Sequence, residues 1–99
     1  MYKIIRTESF KKLFYKFIPK NLQADLERRI LKLSENPYNS KLLTDKLREI
    51  KAGKFRLYFF IIESKVIILF VGISDKKTQQ GTINALKDFN IVKYKNFEV

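Results

Sequence analysis

The sequence predicts an α+β fold in one small domain, and three observations carry that reading. Two amphipathic helical patterns open the chain, apolar strand patterns joined by tight turns follow, and a short helical pattern comes near the end. That order gives a helical hairpin packed on one face of a mainly antiparallel sheet of three or four strands, with a short C-terminal helix. At 99 residues and 11.8 kDa there is room for one hydrophobic core, so residues 1–99 are read as one domain.

Tyr2–Arg6 reads as a short first strand, and Thr7 or Ser9 then offers an N-cap. The first helix is expected over about Glu8–Phe17, where Phe10, Leu13, Phe14 and Phe17 recur at i, i+3, i+4 and i+7. Lys11, Lys12 and Lys16 point elsewhere. Pro19 breaks the pattern and suits the entry of a second helix, roughly Asn21–Glu35, with Leu22, Leu26, Ile30 and Leu33 on one side. Asn36-Pro37 stops it, because proline disfavours helical geometry in the residue before it. After a polar stretch, Tyr38–Asp45, three strands are expected at about Leu47–Lys51, Phe55–Ile62 and Lys65–Ile73. Ala52-Gly53 and Glu63-Ser64 are the turns, short enough to force antiparallel pairing. Thr78–Asp88 reads as the last helix, and Ile91–Val99 as a final strand or frayed coil. There are no internal repeats, low-complexity tracts or linkers.

Composition narrows the function. The chain is 45% hydrophobic and 14% aromatic, which suits folding rather than disorder. It has no Cys and no His, so disulfides, the usual zinc and haem ligand sets, Cys nucleophiles and Ser-His-Asp triads are excluded. A reducing cytoplasm is the expected location. The apolar runs Leu57–Ile62 and Val66–Val71 fall far short of the about 20 residues that span a bilayer. The first residues have no apolar stretch of signal-peptide type. Twenty-one Lys and Arg against ten Asp and Glu give +11 and a pI near 10.0. Such an excess favours a polyanionic partner: RNA, DNA, an acidic membrane or an acidic protein. The basic residues are spread along the chain rather than gathered on one amphipathic helix, which weakens the membrane reading. The plain alternative is a lysine-coated solvated surface, against which stands the self-repulsion of so much charge in so small a domain.

Taking Ala52-Gly53 as a two-residue turn sets Lys51 across from Lys54, Ile50 from Phe55 and Glu49 from Arg56. One sheet face then carries Arg48, Ile50, Phe55 and Leu57. The other carries Glu49, Lys51, Lys54, Arg56 and Tyr58. Arg56 stands where an apolar strand would default to a hydrophobe. Its plain reading is a cross-strand salt bridge to Glu49; its functional reading is a cationic site with one carboxylate, built to hold a phosphodiester. Lys76-Lys77, just past the last long strand, converge on the same surface or are simply solvated.

These segments resemble the RelE/HigB toxin superfamily, and within it the phage Gp49-like branch. The resemblance rests on Lys46-Leu47-Arg48-Glu49-Ile50-Lys51, Gly53-Lys54-Phe55-Arg56-Leu57-Tyr58-Phe59 and Lys76-Lys77-Thr78-Gln79, and on their order from about Tyr2 to Phe89. It implies a type II toxin that enters the ribosomal A site, cuts mRNA and is silenced by an antitoxin. Glu49 and Lys51 stand where the family has Glu and Arg, Arg56 matches the strand arginine, and Lys76-Lys77 match its lysine pair. Lys51 lacks the planar fork of an arginine. Gly81 stands near a common helix-starting Pro, and the C-terminal His of several relatives is absent.

RNA cleavage by such a fold needs no metal or cofactor, only a base for the 2′-OH, an acid for the leaving group and cations for the dianionic transition state. Arg56 is the expected phosphate clamp, helped by Lys51 and Lys77. The base is Glu49 or a lysine whose pKa its cationic neighbours depress, and Tyr58 stacks on a base or serves as the acid. Arg48, Lys54, Tyr58 and Lys76 are expected to contact RNA. Without His no group titrates naturally near neutrality, so activity should depend on positioning by the ribosome. The expected partners are the ribosome, mRNA and a small acidic antitoxin encoded nearby, with no membrane. Two other classes stay open: a ParE-like toxin that poisons DNA gyrase, and an inactive basic RNA- or ribosome-binding domain. Phe55, Phe59, Phe60 and Phe70 fit a core at least as well as RNA platforms.

Overall fold

The computed structural model describes residues 1–89 and Ile91. In chain order it has β1 (Lys3–Arg6), α1 (Glu8–Phe17), α2 (Lys20–Leu33), β2 (Lys41–Thr44), β3 (Leu47–Ala52), β4 (Phe55–Ile62), a 3₁₀ turn (Glu63–Lys65), β5 (Ile67–Asp75) and α3 (Gln79–Leu86). The expected tail element at Ile91–Val99 lies, apart from Ile91, outside the described residues. The five strands form one sheet in the order β1-β5-β4-β3-β2. β2 through β5 are successively antiparallel, and β1 lies parallel to β5, with Ile4 beside Ile68.

The expected α+β class holds, with three differences of detail. Among the described residues the sheet has five strands. β2 comes from the stretch read as polar loop, because Lys41–Thr44 pairs on the edge of β3, where only one side needs apolar cover. Helices lie on both faces, because β4 and β5 are buried on both. On one face, Phe10, Phe14, Leu26 and Ile30 from the hairpin pack on Leu57, Phe59, Ile68 and Phe70. The rings of Phe10 and Phe59 lie 5.1 and 5.3 Å from that of Phe70. On the other, Ile83, Leu86 and Phe89 cover Leu47, Tyr58, Phe60, Ile67, Leu69 and Val71. The third difference is Lys65, expected in a strand but held in the 3₁₀ turn.

Thr7 is the N-cap of α1, its Oγ1 accepting the Phe10 N–H at 3.2 Å, with Glu8 in the first turn where the helix dipole favours it. Phe17 and Leu22, expected on the buried stripes, are instead 52% and 40% exposed. The chain leaves helical geometry at Ile18, and that side chain turns inward between the two helices in their place.

Two glycines set the geometry of the sheet. The β3–β4 turn is Gly53-Lys54, one place later than expected, with Gly53 at φ +60, a value that suits the first central position of a type II′ turn. Each β3 residue therefore pairs two places further along β4: Lys51 with Arg56, Glu49 with Tyr58. A shift of two keeps every side chain on its face, so the expected face assignments survive the wrong partners. At Gly72 the β4–β5 register shifts, Tyr58 pairing with Gly72 and Phe59 with Phe70, a bulge. A Cβ there would lie 2.9 Å from Leu86 Cδ1, so the missing side chain is what lets α3 settle on the bulge.

At the opposite end of the sheet the hydroxyls of Tyr2 and Tyr38 both donate to the Glu63 carboxylate, the Tyr2 bonds being 2.8 and 3.0 Å. These bonds hold the Glu63 carboxyl below its ordinary value and push the Tyr2 phenol up to about 12. No helix among the described residues is long and apolar enough to cross a membrane.

Phe10 is fully buried at the junction of hairpin and sheet. Phe10→Ala is expected to lower unfolding free energy by about 3–5 kcal/mol, measured by urea titration.

Candidate functional site

The end of β3, the start of β4 and the end of β5 meet at one end of the sheet. Two rows of paired residues cross it: Lys51, Arg56 and Ser74, then Lys41, Glu49, Tyr58 and Gly72. Alternate residues on a strand share a face, so these seven lie together, on the face that carries α3.

Glu49 is almost completely buried and Arg56 is 8% exposed. In the shifted register they sit diagonally rather than opposite, and Arg56 Nε stands 3.9 Å from Glu49 Oε1. Glu49 Oε1 accepts a closer bond, 2.7 Å, from Nε2 of Gln79 in the first turn of α3. The Arg56 guanidinium also donates through Nη1 to the Gly53 and Phe55 carbonyls at 3.3 and 3.2 Å. Glu49 Oε2 and Arg56 Nε are buried without a hydrogen-bond partner among the described residues. Each is a costly group to leave unsatisfied. Tyr58 is fully enclosed, its hydroxyl 2.7 Å from Ser74 Oγ. Burial pushes that phenol up, the nearby Glu49 charge adds to the rise, and the bond to Ser74 partly offsets it. Tyr58 therefore keeps its proton at neutral pH and offers no open ring for stacking.

The lysines are arranged around this buried centre. Lys51 is exposed directly across from Arg56, and its carbonyl accepts from Arg29 Nη1 at 3.3 Å. Lys76 and Lys77 are exposed on the loop leaving β5, beside the Gly53-Lys54 turn because Asp75 pairs with Phe55. Asp75 fixes that loop, its Oδ1 accepting the Thr78 N–H at 2.9 Å and the Thr78 hydroxyl at 3.0 Å. The backbone bond from Thr78, more than the hydroxyl, holds the Asp75 carboxyl below its ordinary value.

Two expected residues lie elsewhere. Arg48 is on the hairpin face, donating to the Ser40 carbonyl at 3.2 Å with its guanidinium 5.0 Å from the Tyr38 ring. Lys54, expected on the strand, is in the turn because the turn falls one place later, and its ammonium lies 5.3 Å from the Phe55 ring. Lys93-Tyr94-Lys95 lie outside the described residues. Sequence reasoning missed Gln79, Ser74, Lys41 and Arg29. Ser74, a hydroxyl in a strongly apolar strand, was the one with a readable signal. Among the described residues no cluster of three Asp or Glu side chains is placed to hold a metal ion.

No family model matches the chain, and no curated protein matches it by sequence. Solved structures do. The free RelE toxin of E. coli, in a doubly substituted form, superposes with a TM-score of 0.72 at 18% identity, over 90% of this chain and 98% of that one. The chain has the RelE fold. The intact E. coli RelBE toxin–antitoxin complex gives 0.67 at 20% identity, covering 76% and 96% of the two chains. The RelBE2 complex of Mycobacterium tuberculosis gives 0.65 at 20%, covering 76% and 91%. Within this RelE fold the Glu49–Arg56 centre lies under the start of α3.

A double-mutant cycle tests that centre. Glu49→Leu and Arg56→Met each strand a buried partner, so the double variant should be more stable than the sum of the singles by about 1–3 kcal/mol. The Asp75 cap tests the loop. Because its folded-state pKa is lowered, its stabilisation is fully present above its ordinary value of 3.8 and is lost as pH falls below it. Protection of the Thr78 amide against exchange should therefore hold down to that value and fall beneath it, and Asp75→Asn should remove the transition.

Proposed function

We propose that this chain is the toxin of a type II toxin–antitoxin module, a metal-independent endoribonuclease that cuts mRNA on the ribosome and so halts translation. The observation that carries the reading is Arg56, paired across the strands with Lys51 and tied to the buried Glu49, at one end of a RelE-like sheet. A phosphodiester brought there meets the exposed ammonium of Lys51, with Lys76 and Lys77 on the adjacent loop, and reaches the largely buried Arg56 guanidinium as its cover gives way. These are the charges a pentacoordinate phosphorane needs.

The reaction balances without a redox partner. The 2′-oxygen bonds to phosphorus as its proton passes to the Glu49 carboxylate, which is reached only when Gln79 and α3 move off it. The bond to the 5′-oxygen breaks, and that oxygen takes a proton. The products are a 2′,3′-cyclic phosphate and a 5′-hydroxyl. Tyr58, protonated at neutral pH, is suited to give that proton, and it reaches the leaving oxygen only if α3 shifts off it. Orientation of the mRNA by the ribosome supplies much of the rate. The +11 charge suits silencing by an acidic partner, and RelE relatives of this fold are found in complex with an antitoxin.

The enclosure of Glu49 and Tyr58 favours one other reading, a domain that binds RNA or the ribosome without cutting. Cell-free translation with primer extension on the reporter mRNA separates them. Wild type should give new 5′ ends inside the reading frame only when ribosomes are present, and Lys51→Ala/Arg56→Ala should reduce them by at least about a hundredfold. Blocked translation with intact mRNA would point to the binding domain. Intact mRNA with gyrase supercoiling inhibited would point to a ParE-like toxin.

A further inference from the structure

β2 is short, and its last pair with β3 is Lys41 with Glu49. Beyond that pair the outer edge of β3, from Ile50 to Ala52, has no strand beside it among the described residues. α2 runs alongside, leaving a cleft of about 780 Å³ whose floor is this bare edge and whose far wall is the second half of α2. Four cations, Arg29, Lys32, Lys41 and Lys51, stand around it. Glu35 is the one lining carboxylate not already engaged, since Glu49 is held by Gln79 and Arg56. Lys32, Lys41 and Lys51 make no ion pair among the described residues.

The arrangement has a direction. Arg29 and Lys32 are three residues apart and so neighbours on one helix face. The Arg29 guanidinium donates to the Lys51 carbonyl at 3.3 Å and is steadied from behind by Asp25 at 3.5 Å, so it is fixed at the cleft's mouth. Lys51 is shared: it lines the cleft and it faces Arg56. The cleft and the Arg56 centre thus share Glu49 and Lys51, and Asn36 and Asn39 add neutral donors along the cleft. Edge lysines also guard a bare strand against pairing with other chains. That duty explains Lys41 and Lys51, but not a fixed arginine and Lys32 on the helix opposite.

We propose that this cleft is a second polyanion subsite, which holds the sugar-phosphate backbone of the RNA strand next to the nucleotides at Arg56. The inference rests on the nuclease reading for which strand is held. The contacts are to phosphates, so the subsite adds affinity and orientation without base preference.

The probe is a single-stranded 2′-O-methyl RNA octamer, which cannot be cut, with binding to the full chain followed by fluorescence anisotropy from 50 to 200 mM salt. Each phosphate contact to a single strand contributes a slope of about −0.7 in log K against log salt. Lys32→Gln/Lys41→Gln should weaken binding evenly across sequences and reduce the slope by about 1.4. The remote pair Lys12→Gln/Lys65→Gln removes the same charge and should leave the slope unchanged. A cleft variant that behaves like wild type, or like the remote pair, overturns the subsite while leaving the nuclease reading intact. A cleft that releases an acidic peptide on mutation yet keeps its RNA slope overturns it in favour of a protein partner. Failure of wild type itself to bind the octamer, with mRNA also left whole on ribosomes, removes both readings together.

Discussion

β4 and β5 are apolar on both faces, and neither face of such a sheet is stable in water. The hairpin of α1 and α2 can cover only one side. The other is left to α3, a helix of eight residues that has no buried residue of its own and lies across the edges of Tyr58, Phe60 and Leu69. Its position is set by the bulge at Gly72 and by the Asp75–Thr78 cap, and these two features bring Gln79 over Glu49. Burial of the sheet's second face is thus what gives the site its roof. Removing water from apolar side chains and enclosing the charged centre are one event here.

That enclosure has an electrostatic consequence. A carboxylate and a guanidinium shut away from water lose several kcal/mol of hydration each in the general case, and their mutual attraction returns it only with good geometry and full hydrogen bonding. The diagonal placement forced by the register gives neither, since the ion pair spans 3.9 Å and one atom on each side lacks a partner. The centre is stable because the apolar packing around it is extensive, not because the pair is strong. Such a pair is suited to exchange partners when an anion with better geometry arrives.

Much of the architecture was legible because it follows from periodicity. The stripes on α1 and α2, the Thr7 cap and the apolar runs of β4 and β5 are local patterns, and the structure keeps them except at Phe17 and Leu22, which end up exposed. β2 was not legible. Lys41–Thr44 is four residues on an edge, with no run long enough to alternate, and only its neighbour makes it a strand. The turn was misplaced because Ala52-Gly53 and Gly53-Lys54 both contain the glycine, and only the backbone decides which position takes the positive φ. The face assignment survived that error because the slip was even. Gln79 stood in the loop that carried the resemblance, but its reach to Glu49, like that of Arg29 to Lys51, could not be read: each crosses 22 or more residues of chain, and no spacing rule encodes that distance. Which helix covers which face is likewise a property of the closed sheet rather than of any segment.

β1 and β5 lie side by side in parallel, with Lys3 beside Ile67. The first strand therefore has no neighbour to pair with until some seventy residues of chain exist beyond the start of synthesis. Local helices can form early, but the loop joining these two strands must close before the sheet gains its edge, and such long-range closure is slow. The chain emerges from the ribosome end first, so β1 waits while the residues that will cover its partner are still being made. A product cut short before Ile67 would lack β5 altogether, along with α3, the roof of the charged centre. The charged centre thus takes shape only after β5 and α3 have both been made, well after the strands that carry Glu49 and Arg56.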